Sequence, residues 1–131
     1  MKRRAVILAA MGLATLGSPV LASPKSGGSA AGGELPMSLA TATVMRSQGR
    51  RAIMSVESTL VIANSALLER ARLSRPRLNA AFTEAVRVEA SRLLPDAVPD
   101  LQALTHALQR ATDRVLGQAG ARVLLGTVMV M

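Results

Sequence analysis

The first clear pattern in the chain is a period of two. Leu39 to Met45 alternates small and larger residues and contains Thr41, Thr43 and Val44, a composition that suits a pleated strand. Arg51 to Ala63 alternates more clearly, with Met54, Val56, Leu60 and Ile62 on one face and Ser55, Glu57 and Thr59 on the other. Between them Ser47-Gln48-Gly49-Arg50 supplies the glycine that a tight turn needs. The pattern predicts an antiparallel β-hairpin with strands at about 37–46 and 51–63.

The period then changes to that of a helix. Asn64 or Ser65 is placed to cap a short helical run from Ala66 to Arg72, accepting a hydrogen bond from a free amide of its first turn. Ser74 and Pro76 restart the pattern, because proline fits the first helical turn, where its missing N–H leaves nothing unpaired. Leu78, Phe82, Val86, Ala90 and Leu93 form one apolar stripe, predicting a long helix over about 75–94 that Pro95 ends. Pro99 and Asp100 open another, in which Leu101, Leu104, Leu108, Ala111 and Val115 recur at three and four.

Gly117 and Gly120 close that helix, and Ala121 to Met131 follows as a strand with apolar residues on both faces. This reads as a strand with neighbours on both edges and cover above. The methionines Met37, Met45, Met54, Met129 and Met131 fall mostly on strand positions that read as core, which outweighs a soft copper site. The predicted order is β-β-α-α-α-β: an α+β domain with a small antiparallel or mixed three-stranded sheet and the helices packed on one face.

The N-terminal region has no such period. Lys2, Arg3 and Arg4 precede an apolar stretch from Ala5 to Leu16, the breakers Gly17 and Pro19, and the small-residue site Val20-Leu21-Ala22. This is the form of an export signal, with cleavage expected after Ala22 and a periplasmic destination; the adjacent Arg3 and Arg4 allow the twin-arginine (Tat) route as well as the general one. Ser23 to Gly33 is rich in Gly and Ser and reads as a flexible tether. The expected organisation is a signal peptide over 1–22, a tether over 23–33 and a single domain over 34–131.

Composition narrows the chemistry. The 131 residues include one histidine, no cysteine and one aromatic, Phe82, with a formal net charge of +8. No disulfide, thiol chemistry or multi-histidine metal site can be built from that inventory. Loss of Lys2, Arg3 and Arg4 would leave 13 basic residues against 8 acidic ones, a net charge of +5. His106 falls on the side of its helix opposite Leu104 and Leu108 and reads as a solvated surface residue. No Gly-x-Ser-x-Gly elbow, phosphate loop or facing carboxylate pair occurs, so no catalytic residue, cofactor or metal is expected. The chain reads as a non-enzyme.

One surface feature is unusual. Arg70, Arg72, Arg75 and Arg77 place four arginines in eight residues, with no acid among them after Glu69. Such a cluster could meet anionic lipid headgroups, an anionic envelope polymer or an acidic partner face. Nucleic acid is not expected, because no aromatic stands beside the arginines to stack a base.

At the level of the whole pattern the chain resembles a family. Two strands, a run with Leu67-Leu68-Glu69-Arg70 and the following Pro76-Arg77-Leu78-Asn79-Ala80-Ala81-Phe82 helix look like the periplasmic domain of the flagellar basal-body-associated FliL family. The later helix, closing through Arg114-Val115-Leu116-Gly117 into Val123 to Met131, fits the same pattern. The chain is also similar to short exported proteins known only as twin-arginine-pathway signal proteins. The likeness covers roughly Leu35 to Met131 and rests on element order and apolar spacing. It implies a non-enzymatic module, related in shape to stomatin-type domains, that self-associates and, in the flagellar case, sits against the stator units that drive motility. Members of that family keep a transmembrane anchor, whereas this chain carries a short apolar stretch with a cleavage site. The expected function is therefore that of an exported envelope interaction protein, at the flagellar basal body or, alternatively, as a periplasmic module that binds anionic surfaces through its arginine cluster.

Overall fold

The computed structural model describes residues 32–131. The expected signal peptide and nearly all of the expected tether lie outside the described residues. Strands β1 (Gly33–Pro36), β2 (Ala40–Met45), β3 (Arg51–Ile62) and β4 (Ala121–Val130) form one antiparallel sheet, and helices α1 (Ser65–Leu73), α2 (Arg75–Ser91) and α3 (Leu101–Leu116) pack on it. The domain is α+β, as the period changes predict.

Every other strand pairs with β3. Along one edge β2 lies against its first half, from Met45↔Arg51 to Ala40↔Val56, and β1 against its second half, from Pro36↔Thr59 to Gly33↔Ile62. The two are one edge strand interrupted at Pro36, whose lack of an N–H is tolerated at a sheet edge. The interruption is fastened from α2: Arg75 donates to the Pro36 carbonyl at 2.6 Å, and the Ser38 N–H donates to Asn79 Oδ1 at 3.2 Å. On the other edge β4 runs from Ala121↔Ile62 to Val130↔Met54.

Three expectations need correction. The strand predicted at about 37–46 is β2, which starts at Ala40, and an unpredicted strand, β1, precedes it from Gly33, which the sequence placed in the tether, so the sheet has four strands where three were expected. Next, β4 does not lie between two neighbours; it pairs with β3 alone. A bulge sets Gly126 and Thr127 opposite Glu57, so Ala121, Val123 and Leu125 face the helices before it and Val128 and Val130 after it. That one-residue slip spreads apolar residues over both parities of the sequence while most still face one way. Finally, only Met37 and Met54 among the described methionines are buried; Met45, Met129 and Met131 are exposed.

The core lies between the sheet and the helices. Phe82, Met54, Leu60, Ile62, Leu78, Leu104, Leu108 and Leu116 are its largest enclosed side chains. The α2 stripe is buried as spaced, through Leu78, Phe82, Val86 and Ala90, and α2 packs on β2. The stripe of α3 packs on β4 and α2 through Leu104, Leu108 and Ala111, while Leu101 at its start is exposed and Val115 is half-buried; Asp100 caps that helix by accepting from the Ala103 N–H at 3.1 Å. Gly117, at φ 76, ends α3 in the left-handed region, which glycine adopts without side-chain strain. Helix α2 stops at Ser91, so Leu93 leaves the stripe and joins the loop before α3.

Candidate functional site

Helix α2 ends over β2 and α3 begins over β4, so the loop from Arg92 to Asp100 crosses the sheet at the end where β3 starts. Pro95 and Pro99 keep this stretch from continuing as helix. It therefore spans an opening instead of filling it. Beneath it lies a cavity of about 420 Å³, lined by Val44 and Met45 of β2, Leu93, Leu94, Ala97, Val98, Pro99 and Leu101 of the loop and α3, and Gly126, Val128 and Val130 of β4. Its only charged lining residues are Arg46 and Asp96. A second hollow of about 320 Å³ adjoins it, sharing Leu93 and Pro99.

The charged pair ties the loop to the hairpin turn. Asp96 has φ 62, a conformation rare outside glycine and asparagine, and its carboxylate accepts from the Ser47 N–H at 3.2 Å. Arg46 approaches the same carboxylate at 3.8 Å and donates to the Val130 carbonyl at 3.3 Å. Hydrogen bonds from Ser47 are the main cause, with the Arg46 and Arg50 charges adding less, and together they hold the Asp96 carboxyl below its ordinary value of 3.8 against the opposing effect of desolvation. Asp96 is therefore an ionised tie at neutral pH and unsuited to take up a proton there.

Around the mouth the surface is unusually apolar. Leu94 is 74% exposed, Val98 85%, Leu101 53% and Met45 46%. All four line the cavity behind them.

The four arginines singled out from sequence are all exposed and have different partners. Arg70 reaches Gln118 at 3.3 Å, by the C-terminal end of α3, whereas Arg75 turns to the Pro36 carbonyl beside β1. Arg72 pairs with Glu69 at 3.5 Å. Arg77 makes no hydrogen bond or ion pair among the described residues. His106 is exposed on α3. Among the described residues no group of three or more His, Cys, Asp or Glu is placed to hold a metal ion. No helix there is long and apolar enough to cross a membrane.

The free edge of β4 is a further feature. Met131 and Ile53 exchange two backbone hydrogen bonds, at 2.7 and 3.0 Å, so by alternation Val128 and Val130 turn their backbone groups away from β3. At the start of β4 the outward groups are covered: Gln109 of α3 donates to the Ala121 carbonyl at 2.6 Å and accepts from the Val123 N–H at 3.0 Å. From Leu125 onward only Arg46, on the Val130 carbonyl, reaches the outward groups among the described residues. Neither the groove nor this edge could be found from a local motif, since each joins residues far apart in the chain. No protein-family model matches the chain, and no curated protein does either.

Proposed function

We propose that the chain is an exported, non-enzymatic interaction module of the cell envelope that assembles with itself through the free edge of β4. The observation that carries this reading is the stretch Leu125 to Val130: an edge without charge or proline in its own sequence, whose outward backbone groups, the Val130 carbonyl held by Arg46 excepted, have no partner among the described residues. Such an edge is a ready template for another strand. The opposite edge is interrupted between Pro36 and Ala40, so its two pieces, of four and six residues, are each shorter than β4, of ten. Two copies related by a two-fold axis would pair β4 with β4 in antiparallel fashion, joining both sheets into one.

Two lines support the wider setting. The N-terminal pattern is that of an export signal with cleavage expected after Ala22, which supports a periplasmic setting. Its likeness to the FliL periplasmic domain supplies a context in which self-association and a place beside the flagellar stator go together.

The test is the oligomeric state of the chain recovered from the envelope, measured by sedimentation. A dimer is expected, and Val128→Pro should make it a monomer with an unchanged circular dichroism spectrum, because the N–H it removes does not belong to the β3 ladder. A wild-type monomer at high protein concentration would refute the proposal. Crosslinking in cells through a tag at Lys25 to Ser29 then tests the setting: capture of stator or basal-body proteins supports the flagellar role, and capture of its own copies alone removes it.

A further inference from the structure

The groove beneath the Arg92 to Asp100 loop has features that self-assembly through β4 does not use. It is a trough walled by Val44, Leu93, Val128 and Val130, and its volume lies within the roughly 300–1,000 Å³ of small-molecule sites. At one wall stands Arg46, a planar group with five N–H donors, of which only two long contacts are used. Its side chain is 35% exposed, so the remaining donors are accessible. Arg50 adds a second positive charge beside Asp96, so this end carries one more cation than anion. Two other carboxylates nearby have backbone donors of their own: Asp100 accepts from the Ala103 N–H at the start of α3, and Glu57, beside Gly126, accepts from the Thr127 N–H.

An apolar trough with a cation at its wall selects a ligand of one kind. The geometry points to an anionic single-chain amphiphile, bound with its acyl chain along Val44, Leu93, Val128 and Val130 and its carboxylate or phosphate head on Arg46. A cationic or zwitterionic head gains nothing from Arg46, and a compact polar ligand would leave the apolar walls wet. The exposed Leu94 and Val98 on the loop extend the apolar path beyond the cavity and would cover the chain once it is seated. Asp96 has a part as well: by holding the loop to Ser47 it keeps the trough open before ligand arrives.

The experiment is a titration of the isotope-labelled chain with decanoate, below the concentration at which it forms micelles, followed by methyl and amide NMR. Decanoate should shift Val44, Leu93, Val128 and Val130, and octanoate should bind roughly five- to fifteen-fold more weakly for its two missing methylenes. Decyltrimethylammonium should bind at least about tenfold more weakly than decanoate. Arg46→Gln should remove about a factor of ten for decanoate and leave the cationic amphiphile unchanged. Because Arg46→Gln also touches the loop tie, Ala97→Trp serves as a second variant: Ala97 is exposed and lines the trough, so the indole should block every amphiphile without disturbing the core. Shifts confined to the open sheet face around Ile53, equal affinity for both head charges, or binding to phosphatidylglycerol vesicles without binding to free decanoate would each overturn the assignment.

Discussion

Gln109 does a job usually left to backbone, and its removal makes a sharp test of how the sheet is held. Its side-chain amide donates to the Ala121 carbonyl and accepts from the Val123 N–H, continuing the ladder of β4 by one peptide-like unit supplied from α3. Ala121 and Val123 are 2% and 3% exposed, so water does not readily replace the lost partner. Gln109→Ala therefore removes these two hydrogen bonds, together with one to Asp113 Oδ1 at 3.1 Å on α3, and leaves two backbone groups unsatisfied. At about 1–1.5 kcal/mol each, the expected loss is about 2–3 kcal/mol. For a domain of this size that corresponds to a fall in Tm of about 10–15 °C. Thermal and urea denaturation followed by far-ultraviolet circular dichroism is the assay, since the chain has no tryptophan. Gln109→Glu provides an internal control: the carboxylate can still accept from Val123 but cannot donate to Ala121. Its protonated form restores the donor, so the variant's folded-state pKa should be raised. Its deficit relative to Gln109 should then be smallest in acid and grow as pH rises through that pKa. A Gln109→Ala protein within about 0.5 kcal/mol of the parent would refute this account of the edge.

Other expectations follow from single positions. Leu108 is fully enclosed in the core, and Leu108→Asp, which forfeits about 2–3 kcal/mol of burial and adds a buried charge, should leave no cooperative unfolding transition. Gly32, at φ 124, has the Ile62 carbonyl 2.0 Å from where a Cβ would stand, so Gly32→Ala should displace the start of β1 and speed amide exchange at Leu35. The Asp96 carboxyl lies below its ordinary value, so its tie to Ser47 is complete above pH 3.8 and is lost as the pH falls through the lower folded value. A carboxyl NMR titration of Asp96 with a midpoint at or above 3.8 would contradict that geometry.

Much of the fold is legible because burial enforces period. Phe82 and Val86, four apart on α2, and Leu104 and Leu108 on α3 are enclosed where their spacing puts them. The parts that are not legible depend on partners distant in the chain. Gly33-Glu34-Leu35-Pro36 has a glycine and a proline and little strand character of its own; it is a strand because Thr59 to Ile62 offers it a ladder. In β4 the bulge at Gly126 and Thr127 exchanges inward and outward positions, so an even apolar run conceals a one-sided strand. The groove joins Arg46, Asp96 and Val130, which no spacing rule connects. In the arginine cluster the sequence shows the density of charge but not the partners, which are Gln118 for Arg70 and the Pro36 carbonyl for Arg75.

The placement of β3 at the centre also orders the events of folding. Its pairing with β2 closes only residues 46–50, whereas its pairing with β4 closes residues 63–120, a loop whose closure costs about 2 kcal/mol more in chain entropy. The hairpin can therefore form early and alone, while β4 must wait until the three helices have shortened the path between its ends. Transient opening should run in reverse, releasing β4 first. Each such excursion would uncover the long edge of β3, from Met54 to Ile62, to any protease or unfolded chain nearby. A ligand seated against Val128 and Val130 would lengthen the life of the closed form as well as filling a space.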